Sequence, residues 1–229
     1  MPNHKITMAK HLQRELEKLK KKILSVGSMV EDRVQRAIRA IELQDAELAG
    51  KIIRTDFEME EAEVEVEEEC LKLLALYQPV AVDLRFITAT MKINNDLERV
   101  GDEAVNIAER VMVLSEKKRV RVPFSYHDMA EKTDFMMRKS LDSFVNLDLD
   151  LAFQVIIMDD AVDEMNHRIY DMVKDAIRQH PDSVGYLLNL LLISRHLERI
   201  ADHATNIAEE VIYLIEGEIV RHGMSDVLK

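Results

Sequence analysis

Glu98, Asp102 and Asn106 stand four residues apart, and one hundred positions later Glu198, Asp202 and Asn206 repeat them. The surrounding stretches, "LERVGDEAVNIAERV" at 97–111 and "LERIADHATNIAEEV" at 197–211, are identical at ten of fifteen positions. On a helix each residue turns about 100° and rises about 1.5 Å, so residues four apart lie on one stripe with carboxylates about 6 Å apart along the axis. Like charges that close repel by a few tenths of a kcal/mol on an exposed helix. A divalent cation removes that repulsion and takes several oxygen ligands. Oxygen-only ligation suits Mn²⁺, Mg²⁺, Ca²⁺ or iron better than a zinc site built on thiolates.

The competing reading is a solvated acidic face, which needs no ligand at all. Two features favour a function for the stripe. Asp and Asn are mediocre helix-interior residues, yet both recur in register. Elsewhere the copies diverge: Glu103 is matched by His203 and Arg110 by Glu210, which reads as an unconstrained surface. The repeat also reaches the preceding helices, where Asp56, Met59 and Glu60 match Asp159, Val162 and Asp163. Glu60 and Asp163 are therefore further candidate ligands. Glu164 and His167 form the chain's single Glu-x-x-His; a di-iron carboxylate bundle needs that motif on two helices, so His167 reads as a surface residue. His196 and His203 read as members of polar faces. The basic stretches "KKILSVG" and "EKKRVRV" read as helix ends or linker charge, with contact to an acidic partner as the alternative. Cys70 falls on an apolar stripe and is expected to be buried and inert.

These residues need long helices to hold them. Leu97, Val100, Ala104, Ile107, Val111 and Leu114 alternate at spacings of three and four, and Leu197, Ile200, Ala204, Ile207, Val211 and Leu214 copy them. Pro79, Pro123 and Pro181 mark junctions, and Asp45 and Asp148 are placed to cap helices. The spacing predicts helices near 8–43, 46–77, 80–119, 125–146, 149–179 and 183–221. The fold class is all-α: two tandem, pseudo-symmetric antiparallel three-helix bundles with six long helices, residues 1–122 and 123–229.

Composition agrees. Six Gly, four Pro and no Trp in 229 residues favour helix over sheet. A net charge of −12 excludes a general nucleic-acid binder, which needs a basic face. The single cysteine excludes an internal disulfide and fits a reducing cytoplasm. No signal-peptide core opens the chain, and no charge-free run is long enough to span a bilayer. Every glycine is isolated and no nucleophile motif appears, which argues against an enzyme.

The two polar repeats, with "YQPVAVDLRFITATMKI" ahead of the first, resemble the PhoU family of phosphate-transport regulators over nearly the full length. In the second half "HPDSVGYLLNLLLI" keeps the proline but lacks the counterpart of Asp83-Leu84-Arg85. The resemblance implies two three-helix bundles related by a pseudo-twofold, with metal ions held at the repeated motifs. It implies Glu98, Asp102, Glu198 and Asp202 as principal ligands, supported by Asn106, Asn206, Glu60 and Asp163. It further implies a cytoplasmic, non-enzymatic regulator that represses the phosphate-starvation response. The expected partners are the transporter ATPase PstB, the sensor histidine kinase PhoR and a second copy of the chain. A carboxylate-bridged metalloenzyme and a metal-free helical adaptor remain the alternatives.

Overall fold

The structure, a computed structural model, describes residues 2–218, with side chains from residue 10 onward. The first half runs α1 (Pro2–Leu43), α2 (Ala46–Arg54), α3 (Asp56–Tyr77) and α4 (Ala81–Ser115). The second runs α5 (His127–Asn146), α6 (Leu149–Gln179), a 3₁₀ turn (Pro181–Ser183) and α7 (Val184–Glu216). The described residues contain no strand.

Local chemistry sets most boundaries as expected. Asp45 and Asp148 each cap a helix, their carboxylates accepting from Leu48 N at 3.0 Å and Leu151 N at 3.1 Å. Differences lie at several ends. The first helix begins at Pro2 rather than near residue 8, α4 stops at Ser115 rather than 119, and α7 stops at Glu216. The expected end at 221 lies outside the described residues.

The helix expected over 46–77 is broken at Thr55. The cause is tertiary. Arg33, buried on α1, donates to the Thr55 carbonyl at 2.8 Å and pairs with the Asp56 carboxylate at 2.5 Å. The Thr55 hydroxyl meanwhile donates back to Lys51 and Ile52 carbonyls, closing α2. Because α2 and α3 follow one another as a single interrupted rod, the molecule keeps six rods.

α4 and α7 form its spine. Lys92 pairs with Glu210 while Glu103 pairs with His196, so the two helices run antiparallel. All twelve residues of the two repeated apolar seams are buried. Within each half the third helix runs with the first, as Gln13–Asp83 in one and Tyr126–Leu190 in the other require. α1 and α5 close the two halves along a second antiparallel contact, tied by Arg138–Glu31 and by Lys20 donating to the Val145 carbonyl. Among the described residues no helix is long and apolar enough to cross a membrane. Cys70 is buried, and burial pushes its thiol up to about 12, so it is a packing residue.

Candidate functional site

The repeated carboxylates face the middle rod of their own half. In the second half Asp163 on α6 meets Glu198 and Asp202 on α7, with one oxygen of each within 4.8 Å of the others. Asp159, one turn earlier on α6, joins them electrostatically. Burial, then the charge of Asp202, pushes Glu198 up to about 7. Burial, Asp202 and Asp163 push Asp159 up to about 6. Asp202 is also raised, by burial and then by Asp163. Arg195 offers one counter-charge, donating to Glu198 Oε1 at 2.7 Å.

In the first half the same four positions interact through charge, Glu98 and Asp102 on α4 with Asp56 and Glu60 on α3. Among the described residues, only the second-half trio brings an oxygen of each within 4.8 Å of the others. Burial raises Glu98, and Asp102, Asp56 and Glu60 add to it against Arg99. Burial and Asp56 raise Asp102. A close approach of α3 to α4 brings the acids together. A Cβ on Gly101 would lie 1.7 Å from the Met59 methyl, so only a missing side chain lets Met59 seat there. The second half uses Ala201 and Val162 at the matching positions.

The donor set suits a hard cation. It is all carboxylate, and in the second half the buried Oε2 of Glu198 lacks any hydrogen bond; in the first half the buried Oε2 of Glu98 has only the Arg99 Nε at 3.4 Å. A buried acceptor without a donor is costly. A bound cation would satisfy it while relieving the mutual repulsion of the acids.

The eight sequence candidates therefore divide. Glu98, Asp102, Glu198, Asp202, Glu60 and Asp163 gather in two clusters. Asn106 and Asn206 turn away: Asn106 hydrogen-bonds Glu103, and Asn206 Nδ2 donates to Asp96 Oδ1 at 3.1 Å. Two acids were missed as ligands, Asp56 and Asp159. Their signal was present, since the repeat pairs them beside Glu60 and Asp163.

The reading of Glu103, Arg110, His196 and His203 as ordinary surface needs correction for all but Arg110, which is half-buried and pairs with its neighbour Glu109. Glu103 is 2% exposed and Glu210 3%. Glu103 accepts from His196 Nδ1 at 2.6 Å and pairs with Arg199 at 2.7 Å. Burial opposes ionisation of Glu103, but the His196 hydrogen bond and the Arg199 charge outweigh it and lower its pKa. His203 Nδ1 lies 2.9 Å from Asp96 Oδ1. At these positions each half meets the other across the seam between them, Glu103 with His196 and Asp96 with His203. His167 is exposed, as expected, its Nδ1 2.9 Å from the Asp163 carbonyl.

Comparison with known proteins returns one consistent relationship. The family model described as "PhoU domain" matches twice, over residues 23–111 and 126–211. The Aquifex aeolicus protein named phosphate-specific transport system accessory protein PhoU homolog is 40% identical over 211 residues, covering 92% of this chain and 96% of that protein. Homolog 1 of Thermotoga maritima is 37% identical over 209 residues, 91% of this chain and 90% of its own. The crystal structure of PhoU from Pseudomonas aeruginosa superposes with a TM-score of 0.86 at 35% identity, covering 90% of this chain and 99% of that one. The phosphate transport system regulatory protein PhoU from Streptococcus pneumoniae gives 0.81 at 31% identity, covering 91% and 99%.

Proposed function

The chain belongs to the PhoU family, and from that premise we propose that it is a metal-binding accessory protein of a phosphate-specific transport system. In this reading it restrains the phosphate-starvation response when phosphate is plentiful. It does so without catalysis, in the cytoplasm, by coupling the transporter ATPase PstB to the sensor histidine kinase PhoR, and it works as a homodimer. The names of the relatives support the accessory role, since they describe transport accessory and regulatory proteins rather than enzymes.

The observation that carries the metal reading is the buried, unbonded Oε2 of Glu198 beside Asp202, Asp163 and Asp159. When bound there, Mn²⁺, Mg²⁺ or iron supplies positive charge that holds the carboxylates ionised and close. Glu198 and Asp202 fix one wall of the site on α7, while Asp159 and Asp163 fix the other on α6. Glu98, Asp102, Asp56 and Glu60 do the same between α4 and α3. Ligation would thus pin the middle rod of each half to the spine and set the shape of the outer surface offered to partners.

The test replaces charge while keeping shape. Glu198→Gln with Asp202→Asn should leave a folded protein, because substitutions of this kind rarely cost more than a modest amount. Manganese at about a hundredfold excess over its dissociation constant should stabilise the wild-type protein by about 2.7 kcal/mol for each site filled. The variant should lose the second-half share of that stabilisation and should bind the kinase and the ATPase more weakly. A folded variant lacking both clusters that still fully represses would overturn the regulatory role of the metal.

A further inference from the structure

Residues 116–126 cross from α4 to α5 as a non-helical strap. Its side chains alternate in exposure. Val120, Val122, Phe124 and Tyr126 are half-buried against the core, while Arg119, Arg121, Pro123 and Ser125 are exposed. Period-two burial is the signature of a strand lying on an apolar surface. Yet among the described residues, no backbone hydrogen bond joins residues 118–124 to any other backbone. Residues 119–122 thus alternate in burial as a strand does, with both backbone edges unpaired. Beside it runs a cavity of about 520 Å³, walled by Ile41, Val111, Leu114, Leu190 and Ile193 and reached past Arg119 and Arg121.

Charge narrows what fits. Lys117, Lys118, Arg119 and Arg121 are all exposed, and none makes an ion pair among the described residues. Four free cations within five positions stand out in a chain of net charge −12. Charged residues and proline are how exposed strands avoid pairing with copies of themselves. Two such straps would repel; an acidic strand would be drawn in.

We propose that the strap is a docking site for an acidic, extended peptide segment of a partner protein, which adds to residues 118–122 as a second β-strand. Main-chain hydrogen bonds to the strap supply the affinity common to all such additions, and side-chain pockets supply the choice. On the outer face, carboxylates at alternate peptide positions lie beside Arg119 and Arg121 as cross-strand pairs. On the inner face, the intervening apolar side chains lie over the cavity. A lipid surface would use the four cations but has no use for the unpaired backbone edge, which is why the peptide is favoured. The site is remote in sequence from the carboxylate clusters, and nothing in the proposal depends on metal.

The probe is a fluorescein-labelled octapeptide of alternating valine and glutamate, titrated into the full chain and read by fluorescence polarisation. Saturable binding is expected, and amide hydrogen exchange at residues 118–122 should slow when the peptide is present. Arg119→Glu with Arg121→Glu should weaken binding about tenfold or more, since each reversed pair turns attraction into repulsion. Both side chains are exposed, and an unchanged helical circular dichroism spectrum confirms that the variant is folded. A second arm leaves the protein untouched: methylating alternate amide nitrogens along one edge of the peptide removes its donors, and one of the two edge-methylated peptides should fail to bind. The valine–lysine counterpart should not bind. The proposal is overturned if the glutamate peptide does not bind, if binding survives charge reversal, or if both edge-methylated peptides still bind. It is equally overturned if phosphatidylglycerol vesicles bind through the same arginines while the peptide does not.

Discussion

The two carboxylate clusters are copies in sequence but unequal in balance. In the first half, Arg33 reaches across from α1 and neutralises Asp56. Counting from the capping residues Asp45 and Asp148, the position matching Arg33 is Met136, which is fully buried in the core. The second half therefore has four acids and no cation from its own first helix, and Glu198 and Asp159 rise to about 7 and about 6. The first half is partly compensated from its own first helix, whereas in the second the counter-charge to Glu198 comes from Arg195 on the same helix. One motif thus yields two clusters of different charge balance, because the difference lies in residues outside the motif.

The largest effect is expected at the seam that holds the halves together. Glu103→Ala leaves His196, 14% exposed, without its partner, while Arg199, 45% exposed, can hydrate; the substitution should cost about 2 kcal/mol in urea unfolding. His203→Ala removes the related Asp96 contact, which is more open, and should cost about 1 kcal/mol. Equal costs would mean that the two seam contacts, unlike the two clusters, are interchangeable.

Next comes the internal cation. Arg33→Met gives the first half the residue the second half has. Removing one member of a buried pair costs about 3–5 kcal/mol, but the Asp56 side chain is 29% exposed and can hydrate, so about 1–2 kcal/mol is expected. Calorimetric titration with manganese should then show first-half affinity rising toward that of the second. An unchanged difference would remove Arg33 as its cause.

The remaining comparison is in pH. A carboxyl whose folded pKa lies above its unfolded value carries more protons when folded, so stability grows as pH falls through the folded pKa and levels off below the unfolded one. For Glu198 that window runs from about 7 down to 4.5, and for Asp159 from about 6 down to 3.8. Glu103, whose pKa is lowered, acts oppositely and only at more acid pH. Metal-free protein should therefore gain stability between about pH 7 and about pH 5. Glu198→Gln should flatten that rise more than Glu98→Gln, as followed by thermal unfolding in chelator. The reverse ranking would place the greater strain in the first half.

Much of this was legible in the sequence because it is written in residues that act locally or periodically. The seams from Leu97 and Leu197 predicted the third helix of each half, though not that these two helices pack on each other; the aspartates at 45 and 148 gave two caps, and the repeated Glu and Asp gave most of both clusters. The break at Thr55 was hidden because its cause, Arg33, lies twenty-two residues away on another helix. Glu103 and His203 were misread for a different reason. Aligning the halves treats a difference as drift, whereas Glu103 and His203 each answer a residue of the other half, His196 and Asp96, that the alignment does not set beside them.

That seam also decides which halves recognise each other. The first half contributes Asp96 and Glu103 to it, the second His196 and His203. Were two first halves laid together by the same rotation, as in an isologous dimer, carboxylate would face carboxylate at both contacts. Two second halves would set imidazole against imidazole. Only unlike halves satisfy one another, so the chain carries a mutual-recognition code that rejects like-with-like assembly. The code is blind to covalent linkage, however: a second half from a neighbouring chain would satisfy it equally well. What keeps the partner in the same molecule is the length and path of the connection through residues 116–126, which makes closure intramolecular.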